Sequence, residues 1–343
     1  MNPLGLAGIE FIEFATDKPT ALSELFGQLG MTHTQSGDAV QLYQQNEVRF
    51  LLNWRADSAA RNFFEAHGPG VSSMGWRVAN ATEALATALK NGATQVQEVD
   101  YRCDGKPLLA IAGIGGSLIY LIEDGEKPNF YQRLDFQAEQ QIVQRPNLGF
   151  LRIDHLTNNV YQGQLREWSD FYQRIFGFTE IRYFDIRGEQ TGLQSFALRS
   201  PCGTFCIPIN EGTEEKSQIN EFLEEYRGCG VQHIALLTED ILTSLRKLEQ
   251  TPIAMLAMYP EYYADVFDRV PNVKEDHNEI QRLHVLADGD DKGYLLQIFT
   301  KNLIGPIFFE IIQRENNDSF GEGNFGALFR AIEIDQKKRG YLD

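Results

Sequence analysis

The chain has 343 residues, of which 43% are hydrophobic, and its 31 Lys and Arg against 48 Asp and Glu give a net charge of −17. This length allows two domains of ordinary size, and the apolar content excludes a disordered chain, a collagen-like repeat or a small disulfide-stabilised scaffold. An acidic surface repels phosphate backbones and anionic lipid headgroups, so we expect small molecules and proteins as partners, and neither nucleic acid nor a membrane.

The first residues carry no sign of a targeting sequence, because Glu10 and Glu13 interrupt the apolar stretch and no basic leader precedes it. The longest nearly uncharged stretch, Leu108 to Ile122, is too short to span a bilayer. The four cysteines form no CxxC pair, and Cys202 and Cys206 lie in a strand-like run that favours small buried side chains over a metal clip. We therefore expect a soluble, cytoplasmic protein.

Two pairs of similar segments predict an internal repeat. GIEFIEF at Gly8 to Phe14 corresponds to RIDHLTNNV at Arg152 to Val160, and GVSSMGWRV from Gly70 corresponds to GVQHIALLT from Gly230. Each segment is a predicted strand that leads into an amphipathic helix and then into short strands. We therefore predict an α+β fold of four such units in two tandem domains, residues 1–147 and 148–343, with a polar joining segment at 124–147.

Three side chains suited to metal binding interrupt otherwise apolar strands of the second half. His155 and His233 lie on apolar strand faces, and Glu310 is the only charged residue of Ile304 to Ile312. A carboxylate in such a strand loses its hydration unless a cation or strong donors compensate. Two neutral imidazoles and one carboxylate form the facial triad that suits iron(II) and leaves coordination positions open. Their nearly equal spacings in the sequence fit equivalent strands of repeated units.

Each of these residues has an ordinary structural explanation. A lone histidine on an apolar face is more often a core residue, and a lone buried glutamate often pairs with an arginine. The first half favours the metal site, because its corresponding positions are Phe11, Ser73 and Tyr120. We therefore expect one metal site per chain, within residues 150–343.

Other candidate motifs are weaker. GxGxxG at Gly321 to Gly326 lacks the strand, helix and further strand of a dinucleotide fold, and the glycines of Gly113 to Gly116 indicate a turn between strands. His277 and His284 are expected in a solvated loop and strand. The histidines expected at the surface are His33 and His67.

The residues assembled so far resemble those of the 4-hydroxyphenylpyruvate dioxygenases, a family of the vicinal-oxygen-chelate superfamily. The similarity covers almost the whole chain and includes the motifs IDHLTNNV, YFDIRGEQTGL, GVQHIAL, LLQIFTK, GPIFFEIIQR and FGEGNFGALFRAIEIDQ. It implies two vicinal-oxygen-chelate domains whose four βαβββ modules form open barrels, the first degenerate and the second catalytic. It also implies one iron(II) per chain, bound by His155, His233 and Glu310.

The resemblance further implies a substrate and a reaction. An aromatic 2-oxo acid, 4-hydroxyphenylpyruvate, would chelate the iron and react with dioxygen to give homogentisate and carbon dioxide, and the family suggests dimers or tetramers. Gln232 also resembles a pocket residue, but a regular strand would aim it away from His233. Pro208 is expected to shape the pocket. The substrate-binding residues carried over by motif are Ser195, Asn210, Gln218, Gln297, Phe299, Phe308, Asn324 and Phe325.

The last predicted helix is expected to be a lid. With Phe320 and Phe325 at its start and glycines before it, it could hinge over the site and shield the reaction from water. Its predicted apolar face is formed by Phe325, Leu328, Phe329 and Ile332. The residues expected to be solvated are Glu333, Asp335, Lys337 and Lys338.

Two other functions remain open from the sequence. A hydroxymandelate synthase shares the fold, iron and substrate of this family but hydroxylates the benzylic carbon. Phe299 and Pro208 match the ring-hydroxylating pattern instead. A non-catalytic ligand-binding member of the superfamily would not require an intact iron triad.

Overall fold

Two large sheets, one from each half of the chain, form the framework of the computed structural model, which describes residues 1–123, 125, 127, 129–188 and 190–342. The strands of the first half are β1 Leu6–Ala15, β2 Thr32–Gly37, β3 Val40–Gln45, β4 Val48–Asn53, β5 Gly70–Val78, β6 Gln95–Val96, β7 Arg102–Cys103, β8 Lys106–Pro107, β9 Ala110–Ala112, β10 Leu118–Ile122 and β11 Gln137–Ala138. Those of the second half are β12 Phe150–Val160, β13 Thr179–Arg187, β14 Gly192–Arg199, β15 Cys206–Gly212, β16 Gly230–Thr238, β17 Leu286–Gly289, β18 Tyr294–Phe299 and β19 Phe308–Glu315.

Ten α-helices are found in the described residues, and most of them lie between strands of one sheet. They are α1 Pro19–Gln28, α2 Ala59–His67, α3 Ala81–Lys90, α4 Phe130–Arg133, α5 Leu165–Phe176, α6 Gln218–Tyr226, α7 Ile241–Leu248, α8 Val266–Arg269, α9 His277–Arg282 and α10 Phe325–Arg339.

The strand order repeats the same pattern in both sheets. The first sheet runs β11-β2-β3-β4-β1-β5-β10-β9-β6 and the second runs β13-β14-β15-β12-β16-β19-β18-β17. The first strands of the two modules in each sheet, β1 with β5 and β12 with β16, pair antiparallel. Each of these strands also pairs parallel with the strand on its other side, β4, β10, β15 and β19 respectively. The predicted α+β fold with four βαβββ modules is therefore confirmed. The domain division at residue 148 stays a prediction.

Part of the predicted joining segment has regular structure. Helix α4 and strand β11 fall within 124–147, and β11 extends the first sheet by pairing with β2. Residues 124, 126 and 128 of this segment lie outside the described residues, as do Glu189 of the YFDIRGEQTGL motif and Asp343. The segment thus contributes an edge strand as well as a connection.

Helix α5 shows how the local pattern becomes structure. Tyr172, Ile175 and Phe176 are buried on the face that the apolar spacing predicts. The helix ends at Gly177, which takes the left-handed conformation with φ of 77° that L side chains rarely adopt. A Cβ at this position would lie 2.4 Å from the Met1 carbonyl oxygen. Glycine at this point therefore lets the chain turn back into β13 beside the N-terminal residues without strain.

The expectations for the remaining histidines and cysteines need correction at four positions. His67 is not a surface residue, because its ring stacks on Tyr226 at a centroid distance of 5.1 Å and its Nε2 lies 2.8 Å from the Gly115 carbonyl oxygen. His277 begins helix α9 instead of lying in a loop, and His284 lies in the turn before β17 instead of in a strand. Cys202 lies in a turn before β15. The contacts of His67 come from residues distant in the sequence. His277 begins a helix because Asp276 caps it, and strand alternation gives no sign of such a cap.

Other expectations for these residue types hold. Gly113 to Gly116 form the predicted turn, between β9 and β10. All four cysteines are free, and burial raises the pKa of the Cys206 thiol to about 11. Within the described part of the chain, no helix combines the length and hydropathy that a membrane crossing requires.

Candidate metal centre and substrate pocket

The three predicted metal ligands meet on adjacent strands of the second sheet. His155 on β12 and Glu310 on β19 both pair with Ala235 of the intervening strand β16, which also carries His233. The Nε2 atoms of His155 and His233 lie 3.1 and 3.5 Å from Oε2 of Glu310. All three ligand atoms lie within 4.8 Å of one another, and this is the one group of its kind among the described residues.

Burial makes the charges of this cluster strongly interdependent. His155 and Glu310 are each 3% exposed. Although burial alone would do the opposite, the Glu310 carboxylate and Asp154 raise the pKa of His155 to about 9. The imidazoles likewise overcome burial and lower the pKa of Glu310 to about 2, whereas burial lowers the pKa of His233. Without a metal, the protonated His155 ring is therefore the cation beside the Glu310 carboxylate, and an ion bound at Nε2 would take the place of that proton.

Both imidazoles are oriented by the residue that precedes them. Nδ1 of His155 lies 2.8 Å from Oδ2 of Asp154, and Nδ1 of His233 lies 3.2 Å from Oε1 of Gln232. Because these oxygens accept hydrogen bonds, each neutral imidazole carries its proton on Nδ1 and leaves the Nε2 lone pair free for a metal.

Strand irregularities make these contacts between neighbours possible. Ile153 and His155 pair with the consecutive residues Leu236 and Ala235, so Asp154 is an extra residue in β12. In the same way Gln232 is an extra residue in β16, opposite the step from Thr157 to Asn158. The expectation that Gln232 points away from the site is therefore wrong, because that expectation assumed a regular strand. Gln232 lines the pocket.

A cavity opens in front of the three ligands. Its walls come from β12, from the β13–β14 hairpin, from β15, β16, β18 and β19, and from the helices α6 and α10. The predicted substrate-binding residues that line it are Ser195, Asn210, Gln218, Gln297, Phe299, Phe308 and Phe325. Pro208 and Phe320 line it as well.

Asn324 has a different position from the other predicted pocket residues. It is fully buried, and its Oδ1 accepts a hydrogen bond of 2.6 Å from the Tyr262 hydroxyl. That hydroxyl also bonds the backbone of Ala287 at the start of β17. Asn324 therefore fixes the start of the lid helix to the second sheet, instead of lining the cavity.

Several pocket residues were missed from the sequence. Thr157 on β12, Phe184 and Ile186 on β13, and Leu193 on β14 line the cavity. The alternation of Phe184 and Ile186 within YFDIRGEQTGL was a usable signal, since it places both on one strand face. Arg314, which binds Asp154, gave no such signal because its partner lies on another strand.

The lid helix α10 covers the cavity with its predicted apolar face, since Phe325, Leu328, Phe329 and Ile332 all line it. The ring of Phe325 lies 5.1 Å from that of Phe184 on β13. Lys337 and Lys338 are exposed as predicted.

The expectation that Glu333 is solvated is wrong. It is 3% exposed, and its Oε1 accepts hydrogen bonds from the backbone N–H groups of Gln190 (3.1 Å) and Thr191 (3.0 Å) and from the Thr191 hydroxyl (3.0 Å). The turn of the β13–β14 hairpin therefore buries a carboxylate that helical periodicity alone places in solvent.

Among the residues that the structure describes, the first sheet has no equivalent metal group at the corresponding place. Phe11 and Tyr120 both pair with Gly75, just as His155 and Glu310 pair with Ala235. A Cβ on Gly75 would lie 2.4 Å from the Phe11 ring, so that ring fills the space. The correspondence predicted for Phe11 and Tyr120 is thus confirmed by the strand register.

Comparisons with known proteins agree with this architecture. Residues 1–137 match the family model described as "Hydroxyphenylpyruvate dioxygenase, HPPD, N-terminal", and residues 152–258 match "Glyoxalase/Bleomycin resistance protein/Dioxygenase superfamily". The chain is 50% identical to Protein MelA of Shewanella colwelliana, over 99% of each chain. It is 42% identical to a 4-hydroxyphenylpyruvate dioxygenase of Legionella pneumophila (strain Corby), over 99% of this chain and 98% of the relative. The chain belongs to the 4-hydroxyphenylpyruvate dioxygenase family.

A solved structure of the same fold comes from a related enzyme. A triple mutant of 4-hydroxymandelate synthase from Streptomyces coelicolor superposes with a TM-score of 0.81 at 24% identity, and the match covers 96% of this chain and 99% of that one. Similarity at this level of identity bears on the fold. The evidence for family membership is the identity with relatives that match over nearly the whole chain.

Proposed function

We propose that this chain is an iron(II)-dependent dioxygenase that converts 4-hydroxyphenylpyruvate and dioxygen to homogentisate and carbon dioxide. The observation that carries the proposal is the convergence of His155, His233 and Glu310 on the wall of a cavity that aromatic and amide side chains line. Full-length relatives of the same family support it.

The donor set fits iron(II). Two imidazole Nε2 atoms and one carboxylate oxygen converge, and both Nδ1 atoms are already engaged. Three protein ligands on one side of an ion leave positions for substrate and dioxygen. When bound, the iron would act as a Lewis acid and as the redox partner of both reactants.

The cavity also lacks another counter-ion for an oxo acid. None of its lining residues, among those that the structure describes, is Lys or Arg. Burying a substrate carboxylate there without a cation would cost several kcal/mol. We therefore assign the negative end of the substrate to the metal side of the cavity.

The remaining walls suit a phenol ring. Phe308 stacks on the His233 ring at 4.8 Å, and Phe299 lies edge-on to Phe308 at 6.1 Å, so both rings are fixed beside the ligands. Asn210 is held by a 3.3 Å hydrogen bond from its Nδ2 to Oδ1 of Asn159. We propose that the aromatic walls orient the ring, while Ser195, Gln218 and Gln297 provide its polar contacts.

The lid would keep water from the reaction. Phe320 packs at 5.5 Å from the His155 ring, and Phe325, Leu328, Phe329 and Ile332 of α10 line the cavity. Removing residues from Phe320 onward is expected to leave the metal bound but to uncouple decarboxylation from ring hydroxylation.

The test is anaerobic addition of iron(II) and 4-hydroxyphenylpyruvate to metal-free protein, followed by exposure to dioxygen and analysis of the product. We expect a visible charge-transfer band before oxygen is admitted, and then homogentisate with carbon dioxide. Glu310→Ala is the matched variant and should bind little iron and give neither signal. Turnover and iron content unchanged in this variant would contradict the proposal.

Product analysis also separates the nearest alternative. A 4-hydroxymandelate synthase would release 4-hydroxymandelate from the same substrate, and a non-catalytic binding protein would consume no oxygen. We further propose that the enzyme works in the cytoplasm, in keeping with its free cysteines. Light scattering would show whether it forms the homodimer or homotetramer that we propose from the family resemblance.

A further inference from the structure

Arg314 lies on strand β19, four residues after Glu310. It supports the His155 side of the candidate metal site. Its Nε and Nη2 donate hydrogen bonds of 2.8 Å each to Oδ1 and Oδ2 of Asp154. Oδ2 of Asp154 in turn lies 2.8 Å from Nδ1 of His155. This two-pronged contact fixes the plane of the Asp154 carboxylate, and with it the orientation of the imidazole.

The same guanidinium also holds the segment that leads into the lid. Its Nη1 donates to the carbonyl oxygens of Asn317 (3.1 Å) and Ser319 (2.6 Å). Its central carbon lies 5.9 Å from the centre of the Phe320 ring, which packs against His155. One side chain therefore contacts both the support of a metal ligand and the entry to the lid.

Stability alone is a weak reason for this arrangement. The Arg314 and Asp154 side chains are only 15% and 10% exposed. An ion pair buried to this extent pays a desolvation penalty that often cancels its attraction, so apolar residues would stabilise the fold about as well. His233 has the neutral Gln232 as its support. The charged support from Asp154 and Arg314 thus belongs to His155, the histidine whose ring packs against Phe320 before the lid helix.

We propose that Arg314 is a positioning residue that couples occupation of the metal site to closure of the lid. Metal binding fixes the His155 ring, Asp154 transmits that orientation to the guanidinium, and the guanidinium orders residues 317–320 and so the start of α10. This inference rests on the proposed iron site. It adds a direction of communication that the ligand set alone does not imply.

The test uses Arg314→Lys in the full chain, which keeps the charge but loses the fork. Iron(II) affinity is measured anaerobically by competition with a chelator, and hydrogen exchange of the amides at 317–332 is measured with and without iron. In the wild type, iron should slow this exchange. In Arg314→Lys, iron affinity should fall about 10- to 100-fold, and at saturating iron the slowing should be lost.

Arg199→Lys is the matched control, because Arg199 binds the same segment through Asp318 at 3.0 Å and has no hydrogen bond to Asp154. It should retain wild-type iron affinity and iron-dependent slowing. If Arg314→Lys does not fold, as judged by circular dichroism, Asp154→Asn replaces it, since it keeps the side-chain shape and removes the charge that Arg314 grips.

The outcomes separate this inference from the proposed function. A wild type that binds iron and turns over, with Arg314→Lys showing the same iron-dependent slowing, overturns the coupling and leaves the enzyme proposal standing. Weaker iron binding with unchanged slowing also overturns the coupling. A wild type without iron binding overturns both.

Discussion

At the scale of single residues, the two sheets contain buried acids whose pKa values shift in opposite directions. Imidazoles lower the pKa of Glu310, whereas burial and the nearby Asp100 raise the pKa of Glu13 on β1. Glu13 is 1% exposed and accepts hydrogen bonds from Asn53 (2.7 Å), Ser73 and Tyr101. Neutral donors thus satisfy its oxygens but supply no cation, so ionisation remains unfavourable.

We predict that Glu13→Gln reduces the pH dependence of stability. Because the folded pKa of Glu13 is raised, its stabilising contribution is fully present below the unfolded value of 4.5 and is lost as pH rises through the folded pKa. As the pH rises above 4.5, the free energy of unfolding of the wild type should therefore fall relative to that of the variant. The fall is about 1.4 kcal/mol per unit by which folding raises the pKa.

Urea denaturation at several pH values between 4 and 8 would measure this difference. Glu65→Gln is the control, since its side chain is 61% exposed and should leave the pH dependence unchanged. A constant difference between the wild type and Glu13→Gln across this range would contradict the prediction.

At the scale of elements, the lid helix α10 docks through polar contacts at its middle and at its C-terminal end. Glu333 binds the hairpin turn at Gln190 and Thr191, and Gln336 donates a 2.8 Å hydrogen bond to Glu221 on α6. Arg339 also pairs with Glu221. The helix is therefore tied to the hairpin on one side and to α6 on the other.

We predict that Glu333→Ala loosens the lid without emptying the metal site. It leaves buried N–H groups of the turn without their acceptor, which costs about 1–3 kcal/mol of local docking energy. The ratio of homogentisate formed to carbon dioxide released should fall, while iron content at saturating iron(II) stays at the wild-type level.

Lys337→Ala is the control, because this residue lies on the same helix and is exposed. Quantifying both products in one reaction measures the ratio. If Glu333→Ala keeps the wild-type ratio, the hairpin contact has no part in holding the lid closed.

At the scale of the whole molecule, the two sheets share one hydrophobic core. Trp76 on β5 of the first sheet is fully buried, and its ring lies 4.7 Å from Phe176 and 5.3 Å from Phe205, both of the second half. His67 and Tyr226 form a further contact between the halves. The halves are therefore expected to unfold together.

We predict that Trp76→Ala destabilises both sheets. Removing a buried indole costs about 3–5 kcal/mol, and the loss should appear equally in β1 and β12, as faster hydrogen exchange of their slowest amides. Trp168→Ala is the control, since Trp168 is only partly buried and should cost less. Faster exchange confined to β1 would show that the halves unfold independently.

Much of the site could be predicted from sequence because its ligands break a strong local pattern. His155, His233 and Glu310 each interrupt an apolar strand, and the repeat relates their strands to one another. Periods of two and 3.6 residues are properties of one segment, so strands such as β12 and helices such as α5 follow from that segment alone. The family motifs then extended the prediction to the pocket walls.

The rest depends on partners that are far away along the chain. The bulges at Asp154 and Gln232 exist only in the pairing of β12 with β16, and they turn two side chains toward the histidines. Glu333 is buried because the β13–β14 turn supplies its donors. The sequence by itself determined the modules and the metal-type side chains, since these follow from local periodicity and repetition. Only the tertiary structure decided which polar groups support them, because hydrogen bonding between strands and across the lid depends on register and packing in three dimensions.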